Sequence, residues 1–170
     1  MSTDLPALFA SVAEREELAR QAAGFANGAT GMVTRARAIV LGDGHQSAPQ
    51  LVASRNEVAG LLGRYQRFKH GAIFNPVIQR GTTSSAIVAR GLKAECVLMG
   101  ECFGSYCSRW AHADLVADWV AYRRDMLDTT GRLLDHLRVE SDAIKKLIAL
   151  SAFYQAPEPA AVLNLVSLRA

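Results

Sequence analysis

The spacing of large apolar residues between positions 85 and 110 constrains the fold more than any other feature of this sequence. Apolar side chains recur there at intervals of four, four, three, four, three and four residues. These residues are Val88, Leu92, Cys96, Met99, Phe103, Tyr106 and Trp110. Such spacing places them on one face of a helix, in a seam of the kind that packs against neighbouring helices. The segment therefore predicts a long amphipathic helix.

Three further segments show the same helical period. The first runs from residue 4 to about Gly28, where it is expected to end, and a short helical piece over 32–41 follows it. The second runs over 47–77 and contains Pro76, which should kink or end the helix. The last continues to about residue 150. Together they predict an all-α, up-and-down antiparallel bundle with four main helices and one short extra helix.

Composition agrees with this fold and limits the classes of function. The 170 residues include 28 alanines and 19 leucines, a mixture that favours helix over sheet. One bundle domain is expected over residues 1–156, followed by an apolar tail over 157–170 that should dock on the bundle or on a second subunit. A net charge of only +3 gives no support for a nucleic-acid partner. The sequence shows no signal peptide and no apolar run that would span a bilayer, so a cytoplasmic protein without a membrane partner is expected.

Glu140 breaks the pattern, because it lies on the apolar face of the last helix. At about 100° per residue it falls within the stripe that contains Leu133, Leu137 and Ile144, and His136 lies at the edge of that stripe one turn earlier. A carboxylate that faces a bundle core costs several kcal/mol unless it is neutral, paired or bound to a metal. The sequence therefore predicts a partner for Glu140 inside the bundle.

The second helix supplies two kinds of partner. Gln66 and His70 are spaced by one turn, so with His136 and Glu140 they would line a polar pocket, to which Glu95 of the third helix would add a carboxylate. In the rival interpretation, Glu140 pairs with Arg55 or Lys69, which also lie on the inner side of the second helix, and no pocket forms. The residues leave both interpretations open. The predicted pocket residues are Gln66, His70, His136 and Glu140.

Two stretches resemble the hemerythrin-like cation-binding family. Residues 133–140, with His136 one turn before Glu140, are similar to the last helix of that family, and residues 70–76 are similar to the end of its second helix. The resemblance implies a four-helix bundle with a non-haem di-iron site built from about five histidines and bridging carboxylates. This chain has Gln66 and His70 where the family has His-x-x-x-Glu, its first helix has no histidine, and it has four histidines in all. The resemblance therefore implies a bundle whose metal site is lost or rewired, with either no cofactor or a non-haem metal ion.

These observations favour a non-enzymatic regulatory, sensing or assembly module that acts through a protein partner or as a homodimer. The apolar tail and Phe68, which the helical period places on the outer face, are the expected contacts for dimerisation. The first alternative is a functional metal-binding protein of the hemerythrin-like type. The second alternative is a phosphotransfer-like signalling module that uses His70 as the phosphoryl acceptor. An enzyme would have to use His136 and Glu140 as an acid–base pair, but such a pair one turn apart on a helix is commonly structural.

Overall fold

The computed structural model describes residues 8, 9, 11–42 and 44–151. Its helices are α1 (Val12–Leu41), α2 (Ala48–Lys69), α3 (Asn75–Arg80), α4 (Thr83–Arg109) and α5 (Trp119–Leu150). A 3-10 turn, Gly44–Ser47, precedes α2, and a π-helical turn, His70–Phe74, joins α2 to α3. No strand occurs among the described residues, so the predicted all-α class is confirmed.

The helices form a ring around one apolar core. Helix α1 packs against α2 and α5, and α4 packs against α5 and α3. Helix α2, the π turn and α3 form one continuous segment, and the short connections make the long segments alternate in direction along the chain. The core contains the expected apolar faces of the second, third and fourth long segments, including Tyr65, Phe103 and Tyr122, which are all buried.

Side-chain caps fix where two of the helices begin. The Ser11 hydroxyl accepts a hydrogen bond from the Glu14 amide at 3.1 Å, at the start of α1. The Thr82 hydroxyl accepts one from the Ser85 amide at 3.2 Å, at the start of α4. Each cap satisfies an amide that the first helical turn would otherwise leave unpaired.

The predicted end of the first helix near Gly28 is wrong, since α1 continues without a break to Leu41. Ala26, Ala29 and Val33 are buried on both sides of this glycine. Burial of this small-residue face against α2 and α5 offsets the roughly 0.5–1 kcal/mol that a glycine costs inside a helix. The helix begins at Val12, and the sequence before residue 8 lies outside the described residues.

The buried face of α4 differs at one position from the predicted seam. Val88 was expected in the seam of the third long helix, but it is 50% exposed and Ala89 takes the buried position. The tail over residues 157–170 lies outside the described residues, so its docking stays a prediction.

Candidate functional site

The candidate site lies beside the π-helical turn that ends α2, and Pro76 explains this turn. Proline has no amide hydrogen and its ring clashes with the carbonyl four residues earlier, so a regular α-helix cannot pass through it undisturbed. Here the Asn75 amide bonds to the His70 carbonyl, five residues back, while the backbone stays in the right-handed helical region. Pro76 was predicted to kink or end the helix; the structure has a π turn directly before it, and the helical backbone continues past it to Arg80. Turns of this kind occur frequently at functional sites.

A buried ion pair forms the centre of the site. Lys69, the last residue of α2, places its Nζ 2.5 Å from Glu140 Oε2 of α5. The two side chains are 4% and 1% exposed. The same Nζ lies 4.2 Å from the centre of the Tyr65 ring, one turn earlier on α2. The ammonium group is thus held between a carboxylate and an aromatic face, both removed from water.

His136 approaches the other oxygen of Glu140. Its Nε2 lies 3.5 Å from Glu140 Oε1, which is too long for a well-formed hydrogen bond. Within the described part of the chain, Glu140 Oε1 and the Tyr65 hydroxyl are buried without a hydrogen-bond partner. Both atoms therefore retain hydrogen-bonding capacity beside the ion pair.

The electrostatics of the cluster favour a charged imidazole beside a charged carboxylate. Burial opposes protonation of His136, but its contacts with Cys96 and Glu140 outweigh burial and raise its pKa to about 9. Burial likewise disfavours the Glu140 carboxylate, but His136 and Lys69 more than offset this and hold the pKa of Glu140 below its ordinary value. Burial, together with the negative charge of Glu140, raises the pKa of the Tyr65 phenol, which stays protonated at neutral pH.

A small cavity of about 30 Å³ lies next to this cluster, between α2, α4 and α5. Its polar lining comes from Gln66, Lys69, His136, Tyr65 and Cys96, and apolar side chains close the remainder. This volume accommodates about one or two water molecules. The arrangement can hold water beside a charged imidazole and a charged carboxylate, but a cavity of this size has no room for a larger substrate.

The structure brings together three of the four predicted pocket residues. Gln66 and His136 line the cavity and Glu140 lies beside it. His70 does not line the cavity, since its ring packs against Phe74 with the ring centres 5.7 Å apart. Its Nε2 is buried without a partner among the described residues, and burial and the charges of two nearby lysines lower its pKa.

The rival interpretation paired Glu140 with Arg55 or Lys69, and the structure shows the pair with Lys69. Lys69 forms the ion pair, whereas the Arg55 guanidinium bonds to the Trp110 carbonyl at 2.9 Å instead. Glu95 is exposed, so it adds no carboxylate to the pocket. Tyr65 was expected only as an apolar core residue, although its position one turn before Lys69 was a signal that the two side chains would meet.

The donor set does not fit a di-iron site. The buried carboxylate is already neutralised by the Lys69 ammonium, which would compete with a cation for the same oxygen. The described residues contain no group of three or more His, Cys, Asp or Glu side chains placed to hold a metal ion. A non-haem metal ion therefore has no ligand set in the part of the chain that the structure describes.

Comparisons with known proteins leave the family open. No family model matches the chain, and neither a curated protein nor a solved structure is detectably similar to it. The hemerythrin-like resemblance thus stays a prediction. Over the described residues, no helix has both the length and the hydrophobicity that crossing a bilayer requires.

Proposed function

We propose that this chain is a non-enzymatic bundle of the hemerythrin-like type that acts by self-assembly, as a regulatory or assembly module. In this proposal an internal ion pair occupies the position of the family's metal site. The observation that carries the proposal is the contrast between the interior and the surface. The ion pair inside the bundle is buried and holds its own counter-charge, whereas α4 exposes large apolar side chains.

The exposed surface of α4 is suited to a second copy of the chain. Ile87, Ala94 and Leu98, which we call the α4 strip, lie within about 40° of one another around the helix. Ile87 is 61% and Leu98 is 64% exposed. Exposed apolar side chains that form one strip mark interaction surfaces more often than scattered ones do.

Charges beside the α4 strip favour an antiparallel pair of α4 helices. Arg90 and Glu101 are both exposed and lie on the same side of the strip, within about 20° of each other around the helix. A two-fold axis near residue 96 would place Arg90 of one copy opposite Glu101 of the other, twice in the dimer. The same axis would place Ala94 opposite Leu98, which keeps the apolar contact continuous.

Phe68, the other residue expected to contribute to dimerisation, is less suitable for this role than the α4 strip. It was expected to face outward and to contribute to dimerisation, but it is only half-exposed and packs against Phe25 with the ring centres 5.5 Å apart. Most of its apolar surface is thus used within the bundle. The α4 strip has no comparable cover among the described residues.

The phosphotransfer alternative has less support. A phosphoryl acceptor must be reachable by another protein, and His70 Nε2 is buried against Phe74. The metal-binding alternative requires ligands that the described residues do not supply. Both alternatives have direct readouts, phosphohistidine formation and bound metal by elemental analysis, and we expect neither to be found.

Sedimentation equilibrium tests the proposed dimer. We expect the protein to have twice the chain mass, and Leu98→Glu to have the mass of one chain, because a carboxylate would be buried in the strip. Val139→Glu on α5 is the matched control, since Val139 is 52% exposed but lies on a different helix.

A charge exchange makes the same test specific for the antiparallel pair. Arg90→Glu alone and Glu101→Arg alone should each weaken the dimer, since like charges would face each other across the axis. The double variant should restore it. A monomeric protein, or a dimer that none of these substitutions affects, would contradict the proposal.

A further inference from the structure

Cys96 is the most buried of the three cysteines, and it lies on the cavity beside the ion pair. It is 5% exposed, whereas Cys102 and Cys107, later on the same helix, are half-buried. Cys96 belongs to α4, so it lines the cavity from a different helix than Lys69 of α2 and His136 of α5. Its sulfur is therefore a potential nucleophile on the wall of a polar cavity.

An excess of positive charge surrounds Cys96. Its neighbour His136 is protonated at neutral pH, because contacts with Cys96 and Glu140 raise the pKa of the imidazole to about 9. With Lys69, the cluster then holds two positive charges and one negative charge, that of Glu140. A neighbouring histidinium is one of the arrangements that make cysteines reactive toward oxidants. A thiolate at Cys96 would supply the second negative charge.

Two unpartnered polar atoms beside this sulfur point to a small ligand. Glu140 Oε1 and the Tyr65 hydroxyl have no hydrogen-bond partner within the described part of the chain, and both residues are 1% exposed. Phe25 stacks on the Tyr65 ring and Lys69 Nζ lies over it, so the edge of the ring, with the hydroxyl, is left to line the cavity. Buried polar atoms are rarely left unpaired in proteins. The ligand expected here both donates and accepts hydrogen bonds.

The volume of the cavity limits this ligand to very few atoms. About 30 Å³ holds about one or two water molecules, and hydrogen peroxide, with its two bonded oxygens, falls within this size. Hydrogen peroxide is neutral, and each of its oxygens can both donate and accept a hydrogen bond. Gly100 lines the cavity and is itself exposed, so this part of the wall has no side chain and borders solvent.

We propose that hydrogen peroxide enters this cavity and oxidises Cys96 to a sulfenic acid, so that Cys96 is a redox-modification site inside the bundle. The thiolate sulfur attacks one peroxide oxygen, and an S–O bond forms as the O–O bond breaks. The released hydroxide takes a proton from the His136 imidazolium and leaves as water. The sulfur loses two electrons and the peroxide gains them. Cys96 lies about 180° from the α4 strip around the helix, so this reaction does not depend on the proposed dimer.

The test compares the oxidation rates of the three cysteines in the full chain. The protein is treated with hydrogen peroxide, catalase stops the reaction, and the chain is unfolded in urea that contains dimedone, which labels sulfenic acids. Fragment-ion mass spectrometry assigns the label to Cys96, Cys102 or Cys107. We expect Cys96 to be oxidised at least about tenfold faster than Cys102, although Cys102 is more exposed. Oxidation of Cys102 as fast as or faster than Cys96 would overturn the proposal.

A bulkier oxidant and a substitution test the cavity and the proton donor separately. tert-Butyl hydroperoxide has the same O–O bond but is too large for the cavity, so the preference for Cys96 over Cys102 should fall at least about tenfold. His136→Asn should slow the oxidation of Cys96 by hydrogen peroxide at least about tenfold, because the leaving hydroxide loses its proton donor. The rate at Cys102 should stay within about twofold in this variant.

A second variant keeps the test decisive if His136→Asn fails to fold. A Cβ at Gly100 would lie 3.4 Å from Gln66 Oε1, so Gly100→Leu should cover this part of the cavity wall and slow the oxidation of Cys96 at least about tenfold. Gly104→Leu is the matched control, because Gly104 is also exposed on α4 but does not line the cavity, and its Cys96 rate should stay within about twofold. An undiminished preference with tert-butyl hydroperoxide, or an unchanged Cys96 rate in Gly100→Leu, would overturn the proposal as well.

Discussion

Around Glu140, three charged side chains share the interior of the bundle, and their protonation links stability to pH. His136 is charged beside Glu140 in the folded chain, and its pKa is raised from 6.5 to about 9. A histidine whose pKa is higher in the folded state binds its proton more tightly there than in the unfolded chain. Its contribution to stability is complete below about pH 6.5 and is lost as the pH rises through about 9.

We therefore expect the free energy of unfolding to fall between pH 6.5 and 9, and His136→Asn to remove most of this dependence. Urea denaturation at several pH values measures both slopes. His112→Asn is the control, since His112 is exposed in the connection before α5. A slope that His136→Asn leaves unchanged would mean that another group titrates in this range.

The limits of sequence reasoning at the residue scale are visible in the partner of Glu140. The helical period placed Glu140, Arg55 and Lys69 on inner faces, so a buried ion pair was foreseeable. The helical period did not determine which cation reaches the carboxylate, because this depends on the axial positions of the two helices relative to each other. The distance between His70 and the cavity depends on the π turn, whose extra residue changes the register of the side chains around it.

At the scale of single elements, the effect of a glycine on helix stability depends on the space around it and on the packing of its helix. Gly24 lies in α1 with open space where a Cβ would be, whereas a Cβ at Gly81 would lie 2.5 Å from the Val77 carbonyl oxygen. The sequence alone predicted that the first helix would end at another glycine, Gly28. It contained no information on the helices that cover the buried face of α1, and their packing extends the helix past Gly28.

Gly24→Ala should therefore stabilise the protein by roughly 0.5–1 kcal/mol, because alanine favours the helix and restricts the unfolded chain. Gly81→Ala should destabilise it, since backbone atoms would have to move. Chemical denaturation of both variants measures the two signs. Destabilisation by Gly24→Ala would show that α1 is not helical at that point.

For the whole molecule, the apolar periods of the four long segments were enough to predict the antiparallel bundle. They did not predict the α4 strip, because the packing of the other helices decides which apolar side chains of α4 stay exposed.

The tail over residues 157–170 carries five large apolar residues. Removal of this tail should lower the melting temperature, measured by circular dichroism, since these residues are expected to dock on apolar surface. An unchanged melting temperature would show that the tail does not stabilise the bundle.

Lys69 and Glu140 neutralise each other inside the bundle, and we expect the loss of either charge to destabilise the protein. The exposed pair between Arg132 and Asp128 provides the control: Asp128→Asn should cost at most about 0.5 kcal/mol, as surface pairs of this spacing do. Lys69→Met combined with Glu140→Leu should recover much of what either change alone costs, because no buried charge is then left unpaired.

The most direct measurement is the free energy of unfolding of Glu140→Gln, determined by urea denaturation with and without a metal chelator. A buried ion pair predicts a loss of about 3–5 kcal/mol that is the same in both conditions, because Lys69 is left buried without its carboxylate. A loss that appears only without the chelator would mean that a bound metal ion, rather than Lys69, stabilises Glu140 in the core, and it would contradict the account.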